Sequence, residues 1–133
     1  MDTVDILNDV TGHIRDEYGA EPEYMWARFP NYAVFRHKDN RKWFAIVMDV
    51  SAEKLGLPEG RGKVWVLNLK LDDPLLTDML IQQNKGFLPA YHSSRRNWIS
   101  VLLDGSAPLE DIIPLIRRSF EVTAPKSGRT GRT

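Results

Sequence analysis

The stretch Lys42-Trp43-Phe44-Ala45-Ile46-Val47-Met48-Asp49-Val50 constrains the fold more than any other part of this chain. Its β-branched and aromatic residues suit a pleated strand. Side chains alternate across a strand, so Phe44, Ile46, Met48 and Val50 are expected on one face, and Trp43, Ala45, Val47 and Asp49 on the other. Apolar residues on both faces place such a strand in the interior of a sheet. Upstream, Tyr32 to His37 alternates toward the polar turn Lys38-Asp39-Asn40-Arg41, so the two runs read as a hairpin. Lys63 to Lys70 supplies a third strand, with Val64 and Val66 opposed to Trp65, Leu67 and Leu69.

Helices are expected on either side of these strands and between them. Over residues 3–18, Leu7, Val10, Ile14 and Tyr18 fall on one helical face and Asp2, Asp5, Asp9 and Asp16 on the opposite one. Gly19 is placed to end that helix in the left-handed conformation. The following loop carries Met25, Trp26, Phe29 and Pro30, too apolar for a free linker, and its aromatics are expected to tuck under the sheet. Ser51 to Gly56 reads as one helical turn and Pro58 to Gly62 as a loop. Asp72-Asp73-Pro74 opens a second helix, since aspartate accepts amide protons of the first turn and proline there forfeits no bond.

Pro89 cannot donate to a central ladder, so Phe87 to Tyr91 is an edge strand or shaped loop, while Trp98 to Leu103 is a firmer strand. The last helix places Leu109, Ile112, Ile113, Ile116 and Phe120 at helical spacing, but Pro114 predicts a kink or a first turn that is not strictly α. The order α-β-β-β-α-β-β-α with an antiparallel hairpin predicts an α+β fold: a two-layer sandwich, an antiparallel sheet with helices on one face. Residues 1–123 read as a single domain. Residues 124–133 read as a disordered basic tail, with too little apolar surface to order themselves.

Charge narrows the function classes. The formal net charge is zero, so no global field steers the molecule toward nucleic acid or membrane. The charge is nonetheless divided, with seven acids against Arg15 alone in residues 1–24 and eleven acids against seventeen bases thereafter. Absence of cysteine excludes disulfides, thiolate catalysis and cysteine-ligated zinc. The acidic start lacks the basic and apolar regions of a signal peptide or membrane span, which points to a cytoplasmic protein. A monomer is favoured, with weak dimerisation the other option.

From Met79 to Leu103 there is no acid, while Lys85, Arg95 and Arg96 give the window a formal charge of +3. Two basic patches are therefore candidate contacts for DNA or another anionic partner. One is Arg36, Lys38, Arg41 and Lys42 around the hairpin. The other is Lys85, His92, Arg95 and Arg96 with Tyr91 and Trp98. Ordinary solvated loop charges beside buried aromatics explain the same pattern. Trp43 and Trp98, at strand starts, read as core sooner than as stacking platforms. No nucleophile with its base, no paired carboxylates and no phosphate-cradling glycine loop has usable spacing, so no enzyme, catalytic residue or cofactor is expected. His13, His37 and His92 are too scattered for a metal triad, and the aspartates of the first helix read as a solvated face before a metal-binding ridge.

The chain also resembles the MmcQ/YjbR family of small bacterial proteins, over about Glu21 to Val122. The resemblance lies in Tyr32-Ala33-Val34-Phe35-Arg36-His37-Lys38-Asp39-Asn40-Arg41-Lys42-Trp43-Phe44, Leu67-Asn68-Leu69-Lys70, Gly86-Phe87-Leu88-Pro89-Ala90-Tyr91-His92 with Trp98, and Leu103-Asp104-Gly105. It implies a fold likened to the frataxin and secretion-chaperone α+β sandwiches, and a DNA-binding function. A protein-interaction adaptor, working through a sheet edge or groove as secretion-chaperone-like folds do, is the alternative. Frataxin-like metal binding ranks below both. After His92 the chain departs from the family pattern of methionine, asparagine, lysine and a histidine before the tryptophan, having Ser93, Ser94, Arg95 and Asn97 there.

Overall fold

The computed structural model describes residues 3–58 and 60–125, with side chains from Ile6 onward. The elements follow the expected order: α1 (Thr3–Tyr18), β1 (Ala33–Arg36), β2 (Trp43–Ser51), β3 (Lys63–Lys70), α2 (Pro74–Gln82), β4 (Phe87–Pro89), β5 (Trp98–Leu102) and α3 (Leu109–Val122). A short 3₁₀ turn, Ala52–Leu55, follows β2. The strands form one antiparallel sheet in the order β1-β2-β3-β5-β4. The architecture is thus α+β, with β2 interior and the proline-bearing β4 at an edge. The other edge is partly closed, because Glu23 and Val34 exchange both backbone hydrogen bonds.

Three helices cover one face of the sheet. Ile6, Val10 and Ile14 of α1 and Ile112, Leu115 and Ile116 of α3 bury against Phe35, Val47, Leu67, Leu69, Ile99 and Val101. Leu76 and Leu80 of α2 pack onto the same cluster. Gly19 ends α1 at φ 64° and donates its N–H to Arg15 O. Asp73 caps α2 by accepting from Leu76 N at 3.1 Å, directly before Pro74. In α3 the helix runs through Pro114, but its first turn contains a tightened bond, Asp111 N to Pro108 O, alongside Ile112 N to the same carbonyl.

Among the described residues no α-helix lies on the other face, only the short 3₁₀ turn Ala52–Leu55. There Val34, Ile46, Met48, Val50, Val64, Val66 and Leu102 form a second, smaller cluster, covered by loop residues including Trp26, Tyr32 and Tyr91.

One expectation about β2 needs correction. Phe44 belongs with Ala45 and Val47 in the helix-covered core, whereas Trp43 packs with Ile46 and Met48 on the open face. The cause is a β-bulge, since Phe35 pairs with Ala45 but Arg36 with Trp43. The extra residue inverts the alternation at the start of the strand. The ladder between β2 and β3 is completed at this point by α3. Ser119 Oγ, fully buried, accepts from Lys70 N at 2.8 Å and donates to the Phe44 carbonyl.

The loop after α1 also differs from expectation. Trp26 tucks against the open-face cluster, but Met25 and Phe29 are 45% and 47% exposed. The expected basic tail lies outside the described residues from position 126 onward, as does Asp2 of the acidic face of α1.

Candidate functional site

The antiparallel pairing decides which basic residues meet. The β1–β2 turn, the end of β3 at Lys70 and the turn leading into β5 at Trp98 all lie at one end of the sheet. Arg36, Lys38, Arg41, Lys42, His92, Arg95 and Arg96 therefore gather there. Lys85 does not. It precedes β4, whose Phe87 pairs with Val101, and its neighbour Gly86 accepts from Leu102 N, so it lies at the opposite end of β5. Trp98 to Leu102 spans about 13 Å of strand. The grouping of Lys85 with Arg95 and Arg96 is thus broken by register.

Ion pairing further separates the hairpin cations. Glu23 takes Arg36 at 3.3 Å and Arg41 at 3.4 Å. The Arg36 guanidinium also lies 5.9 Å over the Trp43 ring. Lys38 and Lys42 are exposed and have no acidic partner among the described residues, and the same holds for Arg95 and Arg96. His37, between Arg36 and Lys38, is buried. Its Nε2 lies 2.8 Å from Thr123 Oγ1, and its ring rests against Phe120 and Phe44. Burial lowers its pKa below the usual histidine value. The Thr123 hydroxyl also reaches Ser119 O at 2.7 Å, so His37 is tied to the end of α3 as a buried, hydrogen-bonded residue.

On the open face, this end of the sheet carries two cross-strand pairs, Arg36 with Trp43 and Lys70 with Trp98. Cation and indole thus alternate across β1, β2, β3 and β5. Both indoles are half-buried, so neither is simply core as the sequence suggested.

Beside this row, a groove of about 530 Å³ runs over β2. Its floor is Ile46, Met48 and Val50. Trp26, Tyr32 and Trp43 wall one side, and Tyr91 and His92 border it. Trp26 is set edge-on to Trp43 at 5.7 Å and to Tyr32 at 6.0 Å. Burial, then the proximity of Tyr91 and Asp49, pushes the Tyr32 phenol up, so it stays protonated and able to donate. The far wall is fixed by a buried polar network. Tyr91 N donates to Ser100 Oγ, Ser100 Oγ donates to Asn68 Oδ1, and Asn68 Nδ2 donates to Tyr91 O at 2.8 Å and to Ser93 Oγ at 3.1 Å. Asn68 and Ser100 project from β3 and β5 onto the open face, so they hold the 91–93 segment across it. His92 sits at φ 56°, a left-handed conformation that side chains other than glycine adopt seldom and chiefly where surrounding bonds impose it.

Of the residues singled out from sequence, Tyr91 and His92 line the groove. Arg28, Lys54, Lys63 and Asp49, which also line it, carried no usable signal, because four separate segments bring them together. The one available hint was the apolar content of the 25–30 loop. Among the described residues no cluster of histidine and carboxylate suits a metal ion, and no helix is long and apolar enough to cross a membrane.

Comparison with known proteins agrees on the family. The YjbR family model matches residues 16–122. The chain is 41% identical over 115 residues to the uncharacterised protein YyaQ of Bacillus subtilis (strain 168), covering 86% of this chain and 95% of that one. A crystal structure of a Pseudomonas syringae protein superposes with a TM-score of 0.82 at 40% identity, over 88% of this chain and 97% of that one. A Deinococcus radiodurans protein with a DUF419 domain shares the fold alone, with a TM-score of 0.65 at 24% identity over 96% of this chain and 82% of that one. On the strength of the matched span and these identities, the chain belongs to the YjbR family.

Proposed function

We propose that this domain is a binding module and not an enzyme, and that its partner is a nucleic-acid single strand held along the open end of the sheet. The observation that carries the reading is the alternation of Arg36, Trp43, Lys70 and Trp98 across four strands. A single strand presents base faces and phosphates together and so uses indoles and cations at once, whereas a duplex hides its base faces. Three strand spacings separate β1 from β5, about 14 Å, a footprint of a few nucleotides. Glu23 already neutralises Arg36 and Arg41 in part, so phosphate contacts fall mainly to Lys38, Lys42, Lys70, Arg95 and Arg96.

Fluorescence anisotropy of a labelled 12-nucleotide strand, single or duplex, tests the reading at about 50 and 200 mM salt, a range over which phosphate contacts weaken measurably. The single strand should bind more tightly than the duplex, quench tryptophan emission, and lose affinity with salt. Absence of binding by both forms at both salt concentrations overturns the proposal.

A further inference from the structure

We infer that the groove over β2 is a separate binding site for a small organic anion bearing a planar ring. Its volume of about 530 Å³ falls within the range of small-molecule sites. The floor of Ile46, Met48 and Val50 offers no hydrogen-bonding group from its side chains, so it suits an apolar surface, and methionine adapts its shape to one. Trp26, Tyr32, Trp43 and Tyr91 line it with aromatic rings. A flat ring entering the groove can stack on these rings or meet their edges.

The charge of the lining selects the sign of the ligand. Asp49 is the single acid among the described lining residues, against Arg28, Lys54 and Lys63. That acid is already engaged, accepting from Asn31 Nδ2 at 3.0 Å and lying 3.9 Å from the Lys63 ammonium. Arg28 and Lys54 have no acidic partner among the described residues. Among the described residues the lining therefore keeps two cations without an acidic partner beside an apolar floor, the complement of a ring with a carboxylate, sulfonate or phosphate at one end. The site is also preformed. Asn68 and Ser100, both buried, hold the Tyr91–Ser93 wall in place, so little ordering cost falls on binding. The cations used here differ from those of the strand-binding row, and the two sites have only Trp43 in common.

The probes are 8-anilinonaphthalene-1-sulfonate and its uncharged analogue N-phenyl-1-naphthylamine, titrated by fluorescence into the folded chain. The sulfonate should bind saturably, at one equivalent, and more tightly than the neutral dye. An Arg28→Ala/Lys54→Ala variant, changed only at exposed positions, should weaken sulfonate binding about five- to tenfold and leave the neutral dye unaffected, as expected for two exposed charges. Tyr91→Ala should weaken both dyes, with the melting curve recorded to confirm the fold. Equal affinity for the two dyes, or a double variant that binds the sulfonate as the parent does, overturns the inference. So does self-association that excludes the dye as protein concentration rises, which would assign the groove to a second copy. The same variants titrated with the labelled strand separate the two sites, because loss of strand binding alone leaves the dye result standing.

Discussion

At the scale of single residues, the polar groups inside this domain fasten elements to one another. Ser119 reaches from α3 to the end of the β2–β3 ladder, serving the Lys70 N–H and the Phe44 carbonyl together. Ser119→Ala leaves both backbone groups buried without partners and should cost about 2–3 kcal/mol in urea unfolding, the penalty for unpaired buried polar groups. His37 makes stability depend on pH. Burial lowers its folded pKa below the unfolded value near 6.5, so the folded state binds fewer protons than the unfolded one in that range. Its contribution is complete above about pH 6.5 and is lost as pH falls through the folded pKa. Unfolding free energy should therefore decline between pH 7.5 and 5, and His37→Gln, which cannot titrate, should show a flatter profile over the same interval. The sequence showed only a histidine too far from the other two for a metal triad. Its partner, Thr123, lies eighty-six positions away, so only the packing of α3 against the hairpin could name it.

At the scale of elements, local chemistry decided most of the outcome. The Asp73-Pro74 start of α2 and the glycine stop of α1 needed only their own neighbours, because capping is satisfied within one turn. Pro114 shows the limit of such local rules. It is exposed within α3 and leaves the Glu110 carbonyl without its helical donor, yet the helix persists because Ile112, Leu115 and Ile116 bury its inner face. Pro114→Ala restores the donor at no packing cost and should stabilise the domain by about 1–3 kcal/mol, less the entropy that proline removes from the unfolded chain. A midpoint unchanged in urea would mean that the helix already absorbs the defect. The bulge in β2 lay beyond local rules altogether. Alternation assigned Trp43 to the wrong face, because an extra residue leaves no mark on the strand that contains it and is defined only against its partner β1.

At the scale of the whole molecule, topology sorts charges that the sequence ran together. Arg95 and Arg96 share an end of the sheet with the hairpin, and Lys85 occupies the other. If a single strand binds as proposed, Arg95→Ala/Arg96→Ala should reduce the salt dependence of log K by about 1.4, two phosphate contacts at about 0.7 each. The melting temperature should hold, since both side chains are exposed. Lys85→Ala should leave strand binding unchanged, and a loss equal to that of the arginine pair would move the contact surface elsewhere. By itself the sequence determined the α+β class, the element order, the edge position of the proline strand and the caps. Each of these follows from periodicity or from the backbone chemistry of one short segment. Only the tertiary structure decided that Trp43 faces the open side and that Glu23 claims two of the hairpin arginines. It also decided that an aromatic groove joins the 26–32 loop, β2 and the 91–93 segment. These features depend on strand register and on contacts between segments far apart in the chain, and neither is written in any local pattern.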